Sequence, residues 1–560
     1  PELAELQMAY WMYNRNNDPL GLTKGDKTRV YDSFLDTGGN DYLATFSIAG
    51  GLGYVDEELA PYTLALKMGA SVRLNSRLAY MSNSYRLTEA KWMYMSDTDT
   101  VKEALMNGGA VAVSYYHDET YLSAEKYFDE EEEKEKEHCS YNSGDAYEGS
   151  SNHAVTLVGW DDNYPVSNFG YENRPNNNGA WLLKNSWGDE FWGEAGYLWI
   201  SYEDLSLMGG LACQYTVVRP EEDENIYQYD GTTSASVYFV TEEETTGANV
   251  YTATRNEVIR SVGFFTDGDN TDYTVKVCLL NEDWSTPEDA VHCTVTNGTA
   301  VIAGYHEVPI EPVAVAENQQ FSVIVTLNVE PDYENEEYAY MYVDESDNYE
   351  WIYFVNKTTP GTSYLYNLFG EETWDDISAL GMEARIKAYT TPAPDYVDVT
   401  IKTIVNLNAG ESEYLNPEFT PAIGNPDSIY WTSSDENIAD VYGDGYVYAY
   451  EPGVAIISVY KTSDDSLLAS CEVTVEQPIE SVEADCDYIV VPTGGFVQVS
   501  AWVTPADTTE DRVIFWDLRD EDVVSLNWEC TSNGDVQTVN YVDDGKVTIY
   551  AKAVARPDIC

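Results

Sequence analysis

The sequence predicts a multidomain chain in which an α+β domain is followed by all-β sandwich domains. Three observations carry this prediction. The chain is 560 residues long, room for three or more domains. Its first 219 residues mix helical and strand patterns, whereas after Pro220 apolar and polar residues alternate between Gly, Asn and Asp turns. The last part contains two related segments about 85 residues apart, which is an internal repeat.

Within the first domain, residues 153–160 form an apolar run opened by His153, with the β-branched content and length of a buried strand. Residues 161–179 are turn chemistry, Asp-Asp-Asn-Tyr-Pro and later Pro-Asn-Asn-Asn-Gly, and read as a surface loop. A second apolar run, 180–184, leads directly into Asn185. A histidine base needs a partner that fixes its tautomer and ring orientation, and an amide oxygen can accept the imidazole N–H to do so. Trp187, two residues on, is placed to shield that hydrogen bond from water. A lone His on an apolar run is more often a satisfied core residue, and a lone Asn a turn residue. Here both runs match one motif over many positions, which favours the functional reading.

That motif resembles the papain family of cysteine peptidases. The resemblance rests on Asn152-His153-Ala154-Val155, on Lys184-Asn185-Ser186-Trp187-Gly188, and on Trp192-Gly193-Glu194-Ala195-Gly196-Tyr197. Upstream, Leu35-Asp36-Thr37-Gly38-Gly39-Asn40 resembles the family's segment that hydrogen-bonds extended substrate, and Leu6-Gln7-Met8-Ala9-Tyr10 resembles a helix end near the nucleophile. Val101-Lys102-Glu103-Ala104-Leu105 and Gly108-Gly109-Ala110-Val111-Ala112-Val113 resemble the family's helix and strand that precede the histidine strand, so the resemblance covers about residues 1–217 in collinear order. It implies His153 and Asn185 as catalytic residues, Gly38 and Gly39 as binders of substrate backbone, Ser114 and Ala154 as lining of the main specificity pocket, and Trp187 as a wall of the leaving-group side. The family's nucleophile lies in a Cys-Trp context near the start of the domain, with an oxyanion-hole Gln before it. Both are expected upstream of Pro1, so the domain is expected to lack its N-terminal helix and the 560 residues as given to be inactive.

Neither nearby cysteine suits the nucleophile's role. Cys139 follows an acidic run, Asp129 to Lys136, that disfavours a thiolate. Cys213 lies in an apolar strand and reads as core. Cys278 and Cys293 flank a hairpin and are equally compatible with a bridge and with two free thiols. No Cys-x-x-Cys or His cluster occurs, so no metal and no cofactor is expected. The 98 acidic against 29 basic residues give a net charge of −69, which repels phosphate backbones and argues against nucleic acid. No apolar run approaches the length of a membrane span, and the acidic runs are expected in loops.

Residues 220–392 read as a β-sandwich. Thr358-Thr359-Pro360-Gly361-Thr362-Ser363-Tyr364 and Ile386-Lys387-Ala388-Tyr389-Thr390 resemble the lectin-like sandwich that follows the peptidase in some bacterial papain-family proteins. Residues 393–477 resemble a bacterial immunoglobulin-like group 2 domain through Gly410, Tyr430-Trp431, Val441 and Pro452-Gly453. Residues 478–560 repeat it through Gly494-Gly495, Phe515-Trp516-Asp517 and Val523-Val524, and are expected to be cut before a last strand. The modules 221–392 and 393–477 are expected to fold on cores of their own.

Together these readings imply a secreted or cell-surface cysteine endopeptidase. It would act on peptide or protein substrate, with sandwich domains available to bind surface glycan or cell wall. The competing reading is a non-catalytic adhesin with a degenerate peptidase-like domain.

Overall fold

The computed structural model describes residues 3–13, 27–28, 33–52, 54–78, 85–129, 134–189, 195–238, 240–241, 243–330, 338–348, 352–527 and 534–560. They form two units, Pro1–Pro392 and Ala393–Cys560. The fold class is as the sequence predicts, an α+β domain followed by sandwiches.

The α+β part begins with the helix Glu5–Tyr13, whose Leu6, Tyr10, Trp11 and Met12 pack against Phe34 and Leu43. The next helix, Asp41–Ser47, starts where Asn40 Oδ1 accepts the Leu43 N–H at 2.9 Å, an N-cap that satisfies an otherwise orphaned donor. The helix anticipated at 101–105 runs from Thr98 to Gly108, capped by Asp97 and ended by Gly109 at φ 90°. It buries Val101 and Ala104 on the sheet.

That sheet carries the site. Its strands run in the order Arg86–Tyr94, Leu211–Val218, Val111–Tyr115, His153–Asp161, Ala180–Lys184, Tyr197–Ser201, Lys134–Tyr141, Leu122–Asp129. Pairing is antiparallel throughout this half except between Lys134–Tyr141 and Tyr197–Ser201. Trp181, Tyr115, Tyr141, Val113 and Leu157 make its core. Burying one such side chain is worth about 2 kcal/mol. The acidic run was expected in a loop, yet from Lys134 it continues as a strand to Tyr141. Pairing on both sides supplies what local propensity does not. The loop 161–179 stays outside the motif because Tyr164 and Phe169 anchor it against Ala180 and Trp199. The Glu203 carboxylate holds its Asn176 and Asn177 N–H groups at 2.7 and 3.0 Å.

The lectin-like part does not stand apart. Its strand Gly304–Val315 pairs with Arg86–Tyr94, with Gly304 opposite Lys91, Tyr305 opposite Ala90 and His306 opposite Glu89. One 12-stranded sheet therefore crosses from the α+β part into Glu257–Thr266, Lys387–Pro392 and Asn225–Tyr227. Arg86 reinforces the seam, its guanidinium bonded to Glu307 and, at 3.1 Å, to Glu224. A six-stranded sheet covers the other face, with Phe264, Phe321, Val323 and Ile259 among the residues between them. Residues 221–392 have a core of their own, and the shared sheet places them with the α+β part in one unit, 1–392. Cys278 and Cys293, left open by the sequence, are bridged across the hairpin of Thr271–Leu280 and Ala290–Ala300.

In the second unit, residues 393–477 form a four-stranded, a three-stranded and a two-stranded sheet, with a core of Val405, Leu407, Leu415, Val447, Ile457, Cys471 and Val473. The strand Ile429–Ser433, carrying Trp431, pairs with Gly453–Lys461. In the second copy the Trp516 strand Ile514–Leu518 pairs with Ile549–Ala553 in the corresponding way. Among the described residues, no helix is long and apolar enough to cross a membrane, and no group of three or more His, Cys, Asp or Glu is arranged to hold a metal ion.

Candidate active site

His153 opens its strand, with its backbone opposite Tyr115 on the neighbouring strand. Asn185 follows the last residue of the adjacent strand Ala180–Lys184. Because these strands are neighbours, the two side chains meet: His153 Nε2 lies 2.9 Å from Asn185 Oδ1. An amide oxygen only accepts, so Nε2 carries the proton. In the neutral ring, Nδ1 is then the nitrogen left to take a proton.

Asn185 is itself fixed by main chain. Its Oδ1 also accepts the Ser186 N–H at 2.7 Å, and its own N–H donates to the Gly196 carbonyl at 2.9 Å. Gly196 has φ 85°, and a Cβ there would stand 2.8 Å from the Gly188 carbonyl oxygen, so only glycine fits without a shift. Trp187 stacks on the imidazole, ring centroids 4.6 Å apart and planes 27° apart, while staying 38% exposed. It covers one face of the imidazole and remains partly open to solvent.

A second histidine, not singled out from the sequence, stands beside the first. His117 lies 5.8 Å from His153 and edge-on to Trp187 at 5.0 Å, measured between ring centroids. Its Nδ1 is 2.7 Å from the hydroxyl of the buried Tyr115, and its ring stacks on Tyr141. Asn152 fixes its backbone by accepting the His117 N–H at 2.7 Å and donating to its carbonyl at 3.1 Å. Burial, and then the neighbouring His153, push the His117 pKa down, which favours a neutral ring. The signal in the sequence was Tyr-Tyr-His at the end of the strand that pairs with the His153 strand. It carries no motif, only position.

The remaining anticipated residues fall into two places. Ser114 and Ala154 are cross-strand partners immediately beside Tyr115 and His153, with Ala154 exposed and Ser114 half-buried. Gly38 and Gly39 lie on a different element, the exposed turn between Phe34–Asp36 and the helix Asp41–Ser47. Gly38 takes φ 74° there. Residues 192–194 of the third motif lie outside the described residues; Gly196 and Tyr197 of that motif reach the strand Tyr197–Ser201.

The thiols sit elsewhere. Cys139 is closed into the core with Tyr115 and Tyr141. Cys213 is fully buried, and burial followed by the Asp41 carboxylate drives its pKa far up, against a thiolate. Cys471 is buried and its thiol is pushed up to about 11. Cys530 lies outside the described residues.

Comparisons with known proteins bear on the fold that carries this site. Residues 37–214 match the family described as papain family cysteine protease, and residues 226–390 match the lectin like domain family. The structure of the clostridial cysteine protease Cwp84 after propeptide cleavage is similar at a TM-score of 0.56 and 26% identity, covering 70% of this chain and 89% of that one. The cysteine protease and lectin-like domains of Cwp84, a surface layer associated protein of Clostridium difficile, give 0.54 and 26%, covering 70% and 79%. Among curated sequences, an uncharacterized protein of Clostridium acetobutylicum is 26% identical over 140 residues. A 3-O-alpha-D-galactosyl-alpha-L-arabinofuranosidase of Bifidobacterium longum subsp. longum is 36% identical over 75 residues. These stretches cover 24% and 13% of this chain, and 14% and 7% of those relatives. The chain thus has a papain-like domain followed by a lectin-like domain.

Proposed function

We propose that this papain-like domain hydrolyses peptide bonds at the cell surface through a Cys-His-Asn mechanism, with the nucleophilic thiol contributed by sequence N-terminal to Pro1. The observation that carries the reading is the His153 Nε2–Asn185 Oδ1 contact of 2.9 Å beneath the Trp187 ring. A decayed site has no reason to keep a base, its orienting amide and their cover together, which favours an enzyme over a non-catalytic adhesin.

In this mechanism Nδ1 of His153 takes the thiol proton, and the thiolate attacks the substrate carbonyl carbon. His153 returns that proton to the leaving amine as the C–N bond breaks. It then deprotonates a water that attacks the acyl-enzyme, and the acid product leaves as the thiol is restored. Asn185 keeps the ring turned so that Nδ1 faces the thiol throughout. Backbone N–H groups and an upstream Gln would hold the oxyanion. Gly38 and Gly39 would bind extended substrate backbone, Ser114 and Ala154 would line the specificity pocket, and Trp187 would bound the leaving-group side. The surface-layer association of Cwp84 supports a cell-surface place of action, and the lectin-like domain supports glycan or cell wall as a ligand.

Active-site labelling tests the reading. The chain extended upstream through a Cys-Trp segment should be modified once, covalently, by a peptidyl epoxide. The 560 residues alone should not be, and His153→Ala should slow labelling of the extended chain. Rapid labelling of the unextended chain at Cys139, abolished by His153→Ala, would refute the assignment of the nucleophile.

A further inference from the structure

Four charged side chains of the lectin-like domain are buried together without exposed surface: Asp230, Asp344, Arg385 and Lys387. Lys387 Nζ lies 2.5 Å from both carboxylate oxygens of Asp230 and donates to Gln228 Oε1 at 2.9 Å. Arg385 Nη1 donates to Asp230 Oδ2 at 3.1 Å, and its Nη2 is fixed by the carbonyls of Thr232 and Ser234 at 3.0 and 2.8 Å. Asp344 accepts the N–H groups of Gly231 and Thr232 at 2.7 and 3.0 Å and lies 3.6 Å from Arg385 Nη2. The lysine nitrogen, equidistant from the two oxygens, is held opposite the Cγ that joins them. Burial depresses the Lys387 pKa, which favours the neutral, nucleophilic amine.

The geometry points to an intramolecular isopeptide bond between Lys387 Nζ and Asp230 Cγ, formed without an added reagent. A proton passes from the ammonium to the carboxylate, leaving a neutral amine facing a carboxylic acid. Nζ then attacks Cγ, and the Arg385 guanidinium stabilises the oxyanion that develops on the carboxyl oxygen it already contacts. The C–N bond forms, one C–O bond breaks, and that oxygen leaves as water with two protons from the former ammonium. Nothing is oxidised or reduced. Charge stays balanced, because Arg385 still faces Asp344 after one cation and one anion have been removed from a site where each is costly to desolvate. The link ties the segment after the strand Asn225–Tyr227 to the strand Lys387–Pro392, joining the beginning and the end of the domain. It does not depend on the peptidase reading.

Mass spectrometry of the 560-residue chain, denatured and with the Cys278–Cys293 bridge reduced, tests this directly. The expected mass is that of the sequence less one water. Trypsin should not cut after Lys387, and a branched peptide should join the fragment containing Asp230 to residues 386–402. Lys387→Arg, which keeps a buried cation, should restore the full mass and abolish the branched peptide. If that variant does not fold, the branched peptide of the unaltered chain decides alone. An unmodified mass would overturn the proposal. So would a water loss with cleavage after Lys387 intact, since that is an aspartyl succinimide at Asp230–Gly231.

Discussion

His153 owes its orientation to a single amide, and that amide owes its own to two main-chain contacts. In the proposed mechanism the ring performs proton transfer while Asn185 only aims it, so the two substitutions should differ in depth. In the chain extended to include the thiol, Asn185→Ala should lower kcat/KM by roughly 10- to 100-fold and His153→Ala by more than roughly 1,000-fold. Circular dichroism would confirm that both variants fold. Asp41 offers a prediction in the 560 residues themselves. Burial, opposed by a backbone hydrogen bond and Cys213, pushes its carboxyl up from 3.8 to about 6. A raised carboxyl contributes stability below its unfolded pKa that is lost as pH rises through the folded value. Asp41→Asn mimics the protonated form, so its stability relative to the unaltered chain should grow between pH 4 and pH 7, by at most about 3 kcal/mol. Thermal melts across that range would measure it, and a constant gap would contradict it.

Strands, more than single side chains, decide where the site residues meet. The two strands His153–Asp161 and Ala180–Lys184 were legible because both runs are apolar, one opening on His153 and the other leading into Asn185. The Cys278–Cys293 hairpin was legible as a pair of alternating runs, though its bridge needed geometry. The strand Lys134–Tyr141 was not legible, because lysine and glutamate there give no apolar alternation and pairing alone defines it. His117 escaped for a related reason: it matters through its distance to His153 and Trp187, which one strand's sequence does not encode. The seam between the two domains was equally silent, since Gly304 looks like an ordinary turn glycine. In place it takes φ 135°, and a Cβ would stand 1.9 Å from the Ala90 carbonyl oxygen. Gly304→Ala should therefore disrupt the pairing with Arg86–Tyr94 and destabilise the unit by about 3 kcal/mol or more, read in urea melts. A neutral result would mean the seam is not formed as described.

At the scale of the whole molecule, residues 1–392 share one sheet while 393–560 form a separate unit. Calorimetry should accordingly resolve the α+β and lectin-like parts in one common transition, distinct from unfolding of 393–560. Joining the α+β and lectin-like parts through paired strands holds the lectin-like part at a fixed geometry to the sheet that carries His153 and Asn185. Acid–base work by His153 on a peptide bond is the step on which the proposed activity depends. The direct measurement is kcat/KM for a short peptide in the chain extended by the proposed thiol-bearing segment, compared with the same chain carrying His153→Ala and shown to be folded. Clear turnover is expected in the first and essentially none in the second. Turnover in the folded His153→Ala chain equal to that of the unaltered chain would contradict a papain-type mechanism.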